Sequence, residues 1–123
     1  MTERPALDPA HLYRHAPDLL TESAELLTAS SQFLTQTLAG DPVDDEYHRD
    51  YCLRRAVQAD RIALQHPTVR TLEHAAGDAR MLAAQDRANP YLAPAGVTVP
   101  GEDATADEAR AYVRECYDAA PWT

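Results

Sequence analysis

Proline-marked boundaries divide this sequence into helical segments of limited length. Asp8-Pro9 and Asp41-Pro42 each pair an N-cap side chain with a proline at the first helical position, where the missing amide donor costs nothing. Pro67 and Pro90 end the segments before them, because a residue that precedes proline avoids the α-helical conformation. Together with Pro17, Gly40 and a capping box at Thr105-Ala106-Asp107-Glu108, these signals predict a short helix at about 9–15 and longer helices at about 17–39, 42–65, 68–88 and 105–119.

Each long segment carries an apolar face with helical periodicity. In the first region, with Leu20 at the centre of the helical wheel, eight further residues fall within one half of the helix surface, and we expect that half to face a shared interior: Leu12, Ala16, Leu19, Leu26, Leu27, Phe33, Leu34 and Leu38. The face of the segment at 68–88 is rich in alanine, which allows a neighbouring helix to approach closely. Cys52 and Cys116 lie on apolar faces and match no disulfide framework or zinc spacing, so we predict that both are core residues.

The connections between consecutive helices are too short for anything but antiparallel packing. Gly40-Asp41 and His66-Pro67 leave no length for a crossover. The sequence therefore predicts an all-α fold, an antiparallel (up-down) four-helix bundle with a short extra N-terminal helix, as a single domain spanning 1–123. The segment 89–103 contains three prolines, but also enough apolar residues that we expect an ordered loop packed across the bundle before the last helix.

Charge and hydropathy narrow the classes of partner. The formal net charge is −9, with 20 acidic and 11 basic residues. Binding to a phosphate backbone requires a basic surface, so nucleic acid is not expected as a partner. No apolar run approaches the roughly 20 residues that cross a bilayer, and the N-terminus lacks the features of a secretory signal. We therefore expect no membrane association and a cytoplasmic location.

Asp60 is the most unusual polar residue, because it falls within the apolar arc of the segment at 42–65. A buried carboxylate needs partners, and antiparallel pairing brings Asp60 level with Ser23 of the preceding helix. One interpretation is a ligand-binding pocket formed by Asp60, Ser23 and Ser30. The alternative is a structural carboxylate that is hydrogen-bonded to Ser23 or to an arginine. Ser23 and Ser30 belong to a seven-residue column with Thr37, for which close packing against the alanine-rich helix is the simpler explanation.

A second polar group lies at the other end of the same helix. Asp45 and His48 are one turn apart, and antiparallel pairing places Asp86 beside them. This Asp-x-x-His spacing is similar to the motif with which helical bundles hold metals. A salt bridge between Arg49 and Asp86, with His48 at the rim, explains the same residues without a metal. We expect no metal and no cofactor, with Asp45, His48 and Asp86 as the metal candidates.

Glu22-Ser23-Ala24-Glu25-Leu26-Leu27 resembles the first acidic motif, E-x-x-E, of the all-helical MazG-type nucleotide pyrophosphohydrolases. In that family a second motif, E-x-x-D, on the next helix completes a magnesium site. The nearest counterpart here, Glu46 to Asp50, is one residue longer, and the helical wheel places Glu22 and Glu25 on the outward side. The resemblance implies a carboxylate- and magnesium-dependent nucleotide hydrolase as one alternative function.

The remaining functional signals favour a binding module over an enzyme. The sequence contains no nucleophile elbow, phosphate-binding glycine loop or catalytic triad pattern. We predict a regulatory or scaffolding interaction module that binds a protein partner or self-associates, as a homodimer through the long first helix or the aromatic last one. The aromatic residues proposed for that surface are Tyr112, Tyr117 and Trp122. The other interpretation of these three residues is that they close the domain's own core. A bundle that binds a small ligand or metal ion between its helices is the alternative.

Overall fold

The computed structural model describes residues 7–42 and 44–120, and all regular elements in this part of the chain are helical. A single helical turn, α1 (Pro9–Leu12), is followed by four long helices that pack against one another: α2 (Leu19–Ala39), α3 (Asp45–Gln65), α4 (Val69–Ala88) and α5 (Ala106–Ala119). A 3₁₀ turn, Pro90–Leu92, follows α4. The predicted all-α bundle with a short extra helix is confirmed.

Side-chain contacts show that neighbouring helices run in opposite directions. From α3 to α2, Tyr47 pairs with Gln32 and Gln58 pairs with Ser23, so partner numbers fall along one helix as they rise along the other. From α3 to α4, Arg49 pairs with Asp86 and Arg55 pairs with Asp78, in the same opposed order. The antiparallel arrangement thus follows from the short connections.

The bundle is not evenly packed, because its core lies among α3, α4 and α5. Alanines on α3 and α4 allow these two helices to approach closely, and α5 adds a buried face of its own. The main core contains Leu53, Ala56, Val57, Ala79, Leu82, Ala83, Ala109, Tyr112, Val113 and Cys116. By contrast, α2 packs chiefly against α3 and contributes only Leu26 and Ala29 among buried apolar residues. Consequently α2 is a flanking helix with one principal neighbour.

The segment between α4 and α5 is packed on the bundle, as predicted. Val97 and Val99 are partly buried against the main core. The guanidinium of Arg87 donates to the carbonyl of Pro100 at 2.7 Å, which anchors the loop to α4. Thr105 and Glu108 then form the predicted capping box at the start of α5.

Two predicted helix starts are wrong, one by three residues and the other by two. The helix predicted from Pro42 begins at Asp45, with Asp44 as its N-cap accepting from the amide of Tyr47 at 3.0 Å. Asp44 precedes further acidic residues in the first turn, which the helix dipole favours. The first long helix begins at Leu19 rather than Pro17, because the side chain of Asp18 caps it. In addition, α1 ends at Leu12 instead of continuing to residue 15.

Substitution of two glycines by alanine should change the free energy of unfolding in opposite directions. Gly40 caps α2 with φ of 77°, a left-handed conformation that a side chain disfavours. Gly77 lies inside α4, and a Cβ there would meet nothing within 4 Å. We expect Gly40→Ala to lower the free energy of unfolding by about 1 kcal/mol and Gly77→Ala to raise it by about 0.5–1 kcal/mol. Urea unfolding measures both, and equal signs for the two variants would contradict these cap and helix assignments.

No helix within residues 7–42 and 44–120 is both long enough and apolar enough to cross a bilayer.

Candidate functional site

Asp60 lies sealed among three donors from other parts of the chain. It is 1% exposed, on the face of α3 that meets α5. Arg110 donates to Oδ1 at 2.7 Å, and the Tyr13 hydroxyl donates to Oδ2 at 2.8 Å. Arg114 binds both oxygens, each at 2.9 Å. These four hydrogen bonds saturate the acceptor capacity of the carboxylate.

Asp86 forms a second buried network with the same three residue types. It is also 1% exposed, and Arg49 of α3 binds its two oxygens at 3.3 and 3.0 Å. The Tyr112 hydroxyl of α5 donates to Oδ2 at 2.5 Å. The salt bridge predicted between Arg49 and Asp86 is therefore confirmed. Each network ties α5 to its neighbours, one through Asp60 of α3 and the other through Asp86 of α4.

The two buried tyrosines are held in the neutral form. Burial raises the pKa of Tyr13, and the charge of Asp60 and the hydrogen bond to it raise the pKa further. Burial likewise raises the pKa of Tyr112, as do its hydrogen bond to Asp86 and its contact with Cys116. Each hydroxyl is committed to its carboxylate and each carboxylate is saturated or sealed. These groups stabilise packing and have no free site at which to exchange a proton with a substrate.

The three residues proposed for a ligand pocket do not come together. Ser23 accepts from the side-chain amide of Gln58 at 2.6 Å, so the predicted pairing of Asp60 with Ser23 is wrong. Arginine, the other predicted partner of Asp60, is the one observed. Ser30 lies exposed on α2, as does Thr37. The expected packing of this column against the alanine-rich helix is also wrong, because α2 lies against α3 rather than α4.

The three residues proposed as metal ligands also interact with different partners and do not form one site. Asp45 accepts from the hydroxyl of Tyr91 at 3.3 Å, and Asp86 is enclosed by Arg49 and Tyr112. The ring of His48 packs edge-on against Phe33, with ring centres 5.4 Å apart. In residues 7–42 and 44–120, no three histidine, cysteine or acidic side chains are grouped to hold a metal ion.

The acidic motif of α2 faces α3 and binds a cation that belongs to the chain. Arg54 donates to Glu22 and also to Glu25, the second contact at 2.6 Å. Glu22 is buried, so the predicted outward orientation is wrong for this residue. The helical wheel was centred on leucines that the structure leaves exposed, which rotated the whole face. In the MazG-type enzymes, both motifs supply carboxylates to magnesium, whereas here a guanidinium occupies the first pair.

Two of the three aromatic residues proposed as an interaction surface, Tyr112 and Tyr117, contribute to the interior. Tyr112 is 2% exposed and holds Asp86. Tyr117 is partly buried, with its ring edge-on to that of Tyr13 at 5.0 Å between centres. Trp122 lies outside the described residues. The aromatic part of α5 therefore closes the core over α1.

A cleft with a volume of about 520 Å³ lies between α3, the 3₁₀ turn and the end of α5. Arg49 and Cys116 form part of its wall, and Glu46 and Asp50 also line it. The guanidinium of Arg49 is already committed to Asp86. Burial raises the pKa of the Cys116 thiol, against the lowering effect of Tyr112 and Arg49. The cleft thus offers space without an activated nucleophile.

The outward face of α2 is the most exposed apolar surface among the described helices. Four leucines project from it, although the sequence predicted that the apolar half of this helix is buried. They are Leu20 at 79% exposure, Leu27 at 71%, Leu34 at 61% and Leu38 at 80%. The expectation failed because α2 has one principal neighbour, which covers a narrow stripe. We call the surface formed by these leucines, Ala24 and Ser31 the outer α2 face.

This surface also carries no charge over most of its length. Every residue from Leu26 to Gly40 is uncharged, in a chain with a net charge of −9. Three threonine hydroxyls on this stretch donate to carbonyls of their own helix four residues earlier, at 3.1, 3.0 and 2.8 Å for Thr28, Thr35 and Thr37. These hydroxyls do not depend on water for a hydrogen bond, which lowers the cost of covering the face.

One sequence signal could have identified this face beforehand. An apolar arc that covers half of a helix is wider than one neighbour can bury. The leucines at 20, 27 and 34 recur every seven residues, a spacing typical of a helix that packs on another helix. Sequence reasoning assigned them to the domain's own core because nothing in the sequence says how many neighbours α2 has.

Comparison of the chain with protein-family models, with curated proteins and with solved structures found no match.

Proposed function

We propose that the protein is a helical interaction module that binds another protein through the outer α2 face. The observation that carries this proposal is the row of four leucines, each more than 60% exposed, on a helix whose other side is packed. Contiguous apolar surface of this kind marks interaction sites in soluble proteins, whereas scattered single residues do not. Burying one leucine side chain contributes about 1.5–3 kcal/mol, so the row is enough to hold a partner.

The state of the ionisable groups supports an interaction module over an enzyme. Asp60 and Asp86 are enclosed by their arginine and tyrosine partners, and Glu22 and Glu25 are bound to Arg54. These carboxylates therefore rigidify the scaffold that presents α2. Protein rather than nucleic acid is the proposed partner, because the chain has a net charge of −9 and its outer α2 face offers no basic residue from Leu26 to Gly40. We place the module in the cytoplasm, for which the unpaired thiols of Cys52 and Cys116 are the support.

Photo-crosslinking in cells that express the full chain tests this proposal. A photoreactive residue at Ser30, an exposed position one turn from both Leu27 and Leu34 of the outer α2 face, should form a discrete protein adduct. The same residue at Glu73, which is exposed on α4, is the matched control and should not. Leu27→Glu should remove the Ser30 adduct while changing the free energy of unfolding of the monomer by no more than about 0.5 kcal/mol, because Leu27 is exposed.

Two results would contradict the proposal. One is the absence of any adduct at Ser30, and the other is an adduct that survives Leu27→Glu with unchanged yield. Urea unfolding of Leu27→Glu at low concentration separates loss of binding from loss of folding.

A further inference from the structure

We infer that the occupant of the outer α2 face is a second copy of this chain, bound antiparallel across a two-fold axis level with Ala29. This inference rests on the proposed function and deepens it by naming the partner. Four observations support it: the spacing of the exposed residues, their symmetry, the distribution of charge and the state of the flanking hydroxyls.

The spacing is that of a coiled-coil seam. The six positions of the outer α2 face are separated by four, three, four, three and four residues, and all six are exposed: Leu20, Ala24, Leu27, Ser31, Leu34 and Leu38. Alternation of three and four residues keeps a stripe facing one straight neighbouring helix over several turns. The other side of α2 packs on α3, so this stripe is a second and separate seam.

The spacing of the stripe is the same in both directions from its midpoint, and this symmetry favours two identical chains. When two antiparallel copies of α2 cross level with Ala29, the residue numbers of facing positions sum to 58. Leu34 then faces Ala24 of the other copy, and Leu27 faces Ser31. Each of these two pairs occurs twice because of the two-fold axis, and in each a leucine packs against a small side chain. Leu20 faces Leu38 at both ends of the stripe. A two-fold interface requires just this self-complementarity.

A parallel pair would pack less evenly. In that alignment every residue of the stripe faces its own counterpart, so layers of two leucines alternate with a layer of two alanines or two serines. A single distance between the helices cannot suit both kinds of layer. The parallel arrangement also brings Glu22 and Glu25 of both copies to the same end, whereas the antiparallel one separates them and opposes the helix dipoles.

The charge distribution allows self-association at this surface in particular. Two copies with a net charge of −9 repel each other wherever their acidic surfaces meet. The stretch from Leu26 to Gly40 contributes no charge to that repulsion. Its flanking positions hold only serine and threonine, so no long side chain blocks the approach of a second helix. The hydroxyls of Thr28 and Thr35 stay hydrogen-bonded to their own helix when water leaves.

Sedimentation velocity of the purified full chain tests whether the second copy binds. The seam is short, so we expect a reversible dimer with a dissociation constant no tighter than about micromolar, measured between about 1 and 500 μM. Wild type should shift from monomer to dimer over this range, and Leu27→Glu should stay monomeric. Val69→Glu is the matched control, because Val69 is 74% exposed on α4, and it should dimerise as wild type does.

Disulfide trapping tests the direction of the helices. A mixture of Leu20→Cys and Leu38→Cys chains should form a crosslinked dimer under mild oxidation, because these positions face each other. Leu20→Cys alone should form no more dimer than wild type, since its two copies then lie about 27 Å apart along the helix axis. Efficient crosslinking of Leu20→Cys alone would indicate a parallel pair and would overturn the inferred arrangement.

The failure of this inference can be distinguished from the failure of the proposed function. The second copy is excluded as the occupant if wild type stays monomeric at every concentration. It is also excluded if Val69→Glu disrupts the dimer as strongly as Leu27→Glu does. If the Ser30 adduct in cells then contains a different protein, the interaction module stands with another partner. If there is no Ser30 adduct either, both proposals are overturned.

Discussion

Asp60→Asn should lower the free energy of unfolding by about 3–5 kcal/mol at neutral pH, the largest single-residue effect that we expect in this protein. The substitution preserves shape but removes the negative charge that faces Arg110 and Arg114. Their side chains are only 11% and 19% exposed, so solvent compensates little for the loss. Two guanidinium groups would then remain largely buried without an anion, and the Tyr13 hydroxyl would lose its charged acceptor.

Urea unfolding followed by circular dichroism measures this loss. Asp50→Asn is the matched control, because it makes the same chemical change at an exposed position of the same helix, and it should change the free energy by no more than about 0.5 kcal/mol. Arg114→Met should also destabilise the protein, and the double variant should lose less than the sum of the two single losses. A loss below about 1 kcal/mol for Asp60→Asn would contradict the role of this network in holding α5 to α3.

The second large effect is a loss of stability at alkaline pH. The pKa values of Tyr13 and Tyr112 are raised well above the usual value near 10 in the folded protein. Above pH 10 the unfolded chain therefore releases protons that the folded chain retains. Since the folded state binds more protons, the free energy of unfolding falls as pH rises, by about 1.4 kcal/mol per pH unit for each tyrosine. Below pH 10 their contribution is fully present.

Variants separate the contributions of the two tyrosines. Tyr112→Phe removes one hydroxyl, so the decline between pH 10 and 11 should be smaller by about 1 kcal/mol than in wild type, although the variant is less stable at neutral pH. Tyr47→Phe, at a position that is 45% exposed, is the matched control for loss of a hydroxyl and should change the free energy of unfolding at neutral pH by no more than about 0.5 kcal/mol. Urea unfolding at several pH values provides the free energies, and phenolate absorbance should rise together with unfolding. An equal decline in Tyr112→Phe and wild type would contradict the buried, neutral state of Tyr112.

Much of the fold could be predicted because its signals are local. Asp8, Gly40, Thr68 and Thr105 act at helix ends through contacts within a few residues. The helix starts after Asp18 and Asp44 were misplaced because Pro17 and Pro42 were assigned to the first helical position, whereas an aspartate that follows each proline is the N-cap. Asp60 could be recognised as buried and in need of partners from its position among apolar residues alone.

The partners of Asp60 could not be predicted in the same way. Antiparallel pairing of consecutive helices predicts which residues of α3 lie level with residues of α2 and α4. Arg110 and Arg114 belong to α5, which is not a neighbour of α3 in sequence. The loop at 89–103 is long enough that its length does not restrict where α5 docks. Tyr112 was assigned to a surface for a different reason. An aromatic residue on an amphipathic helix suits a core and an interface equally well.

The sequence by itself determined that this chain forms helices, where most of them end and that consecutive ones run antiparallel, since each depends on side chains and connections a few residues apart. Only the tertiary structure decided that α5 completes the core with α3 and α4, and that α2 is left with one principal neighbour. These outcomes depend on which apolar faces meet over long separations in the chain, where many pairings bury similar area. The exposed leucines of the outer α2 face, on which the proposed function rests, are a consequence of that choice.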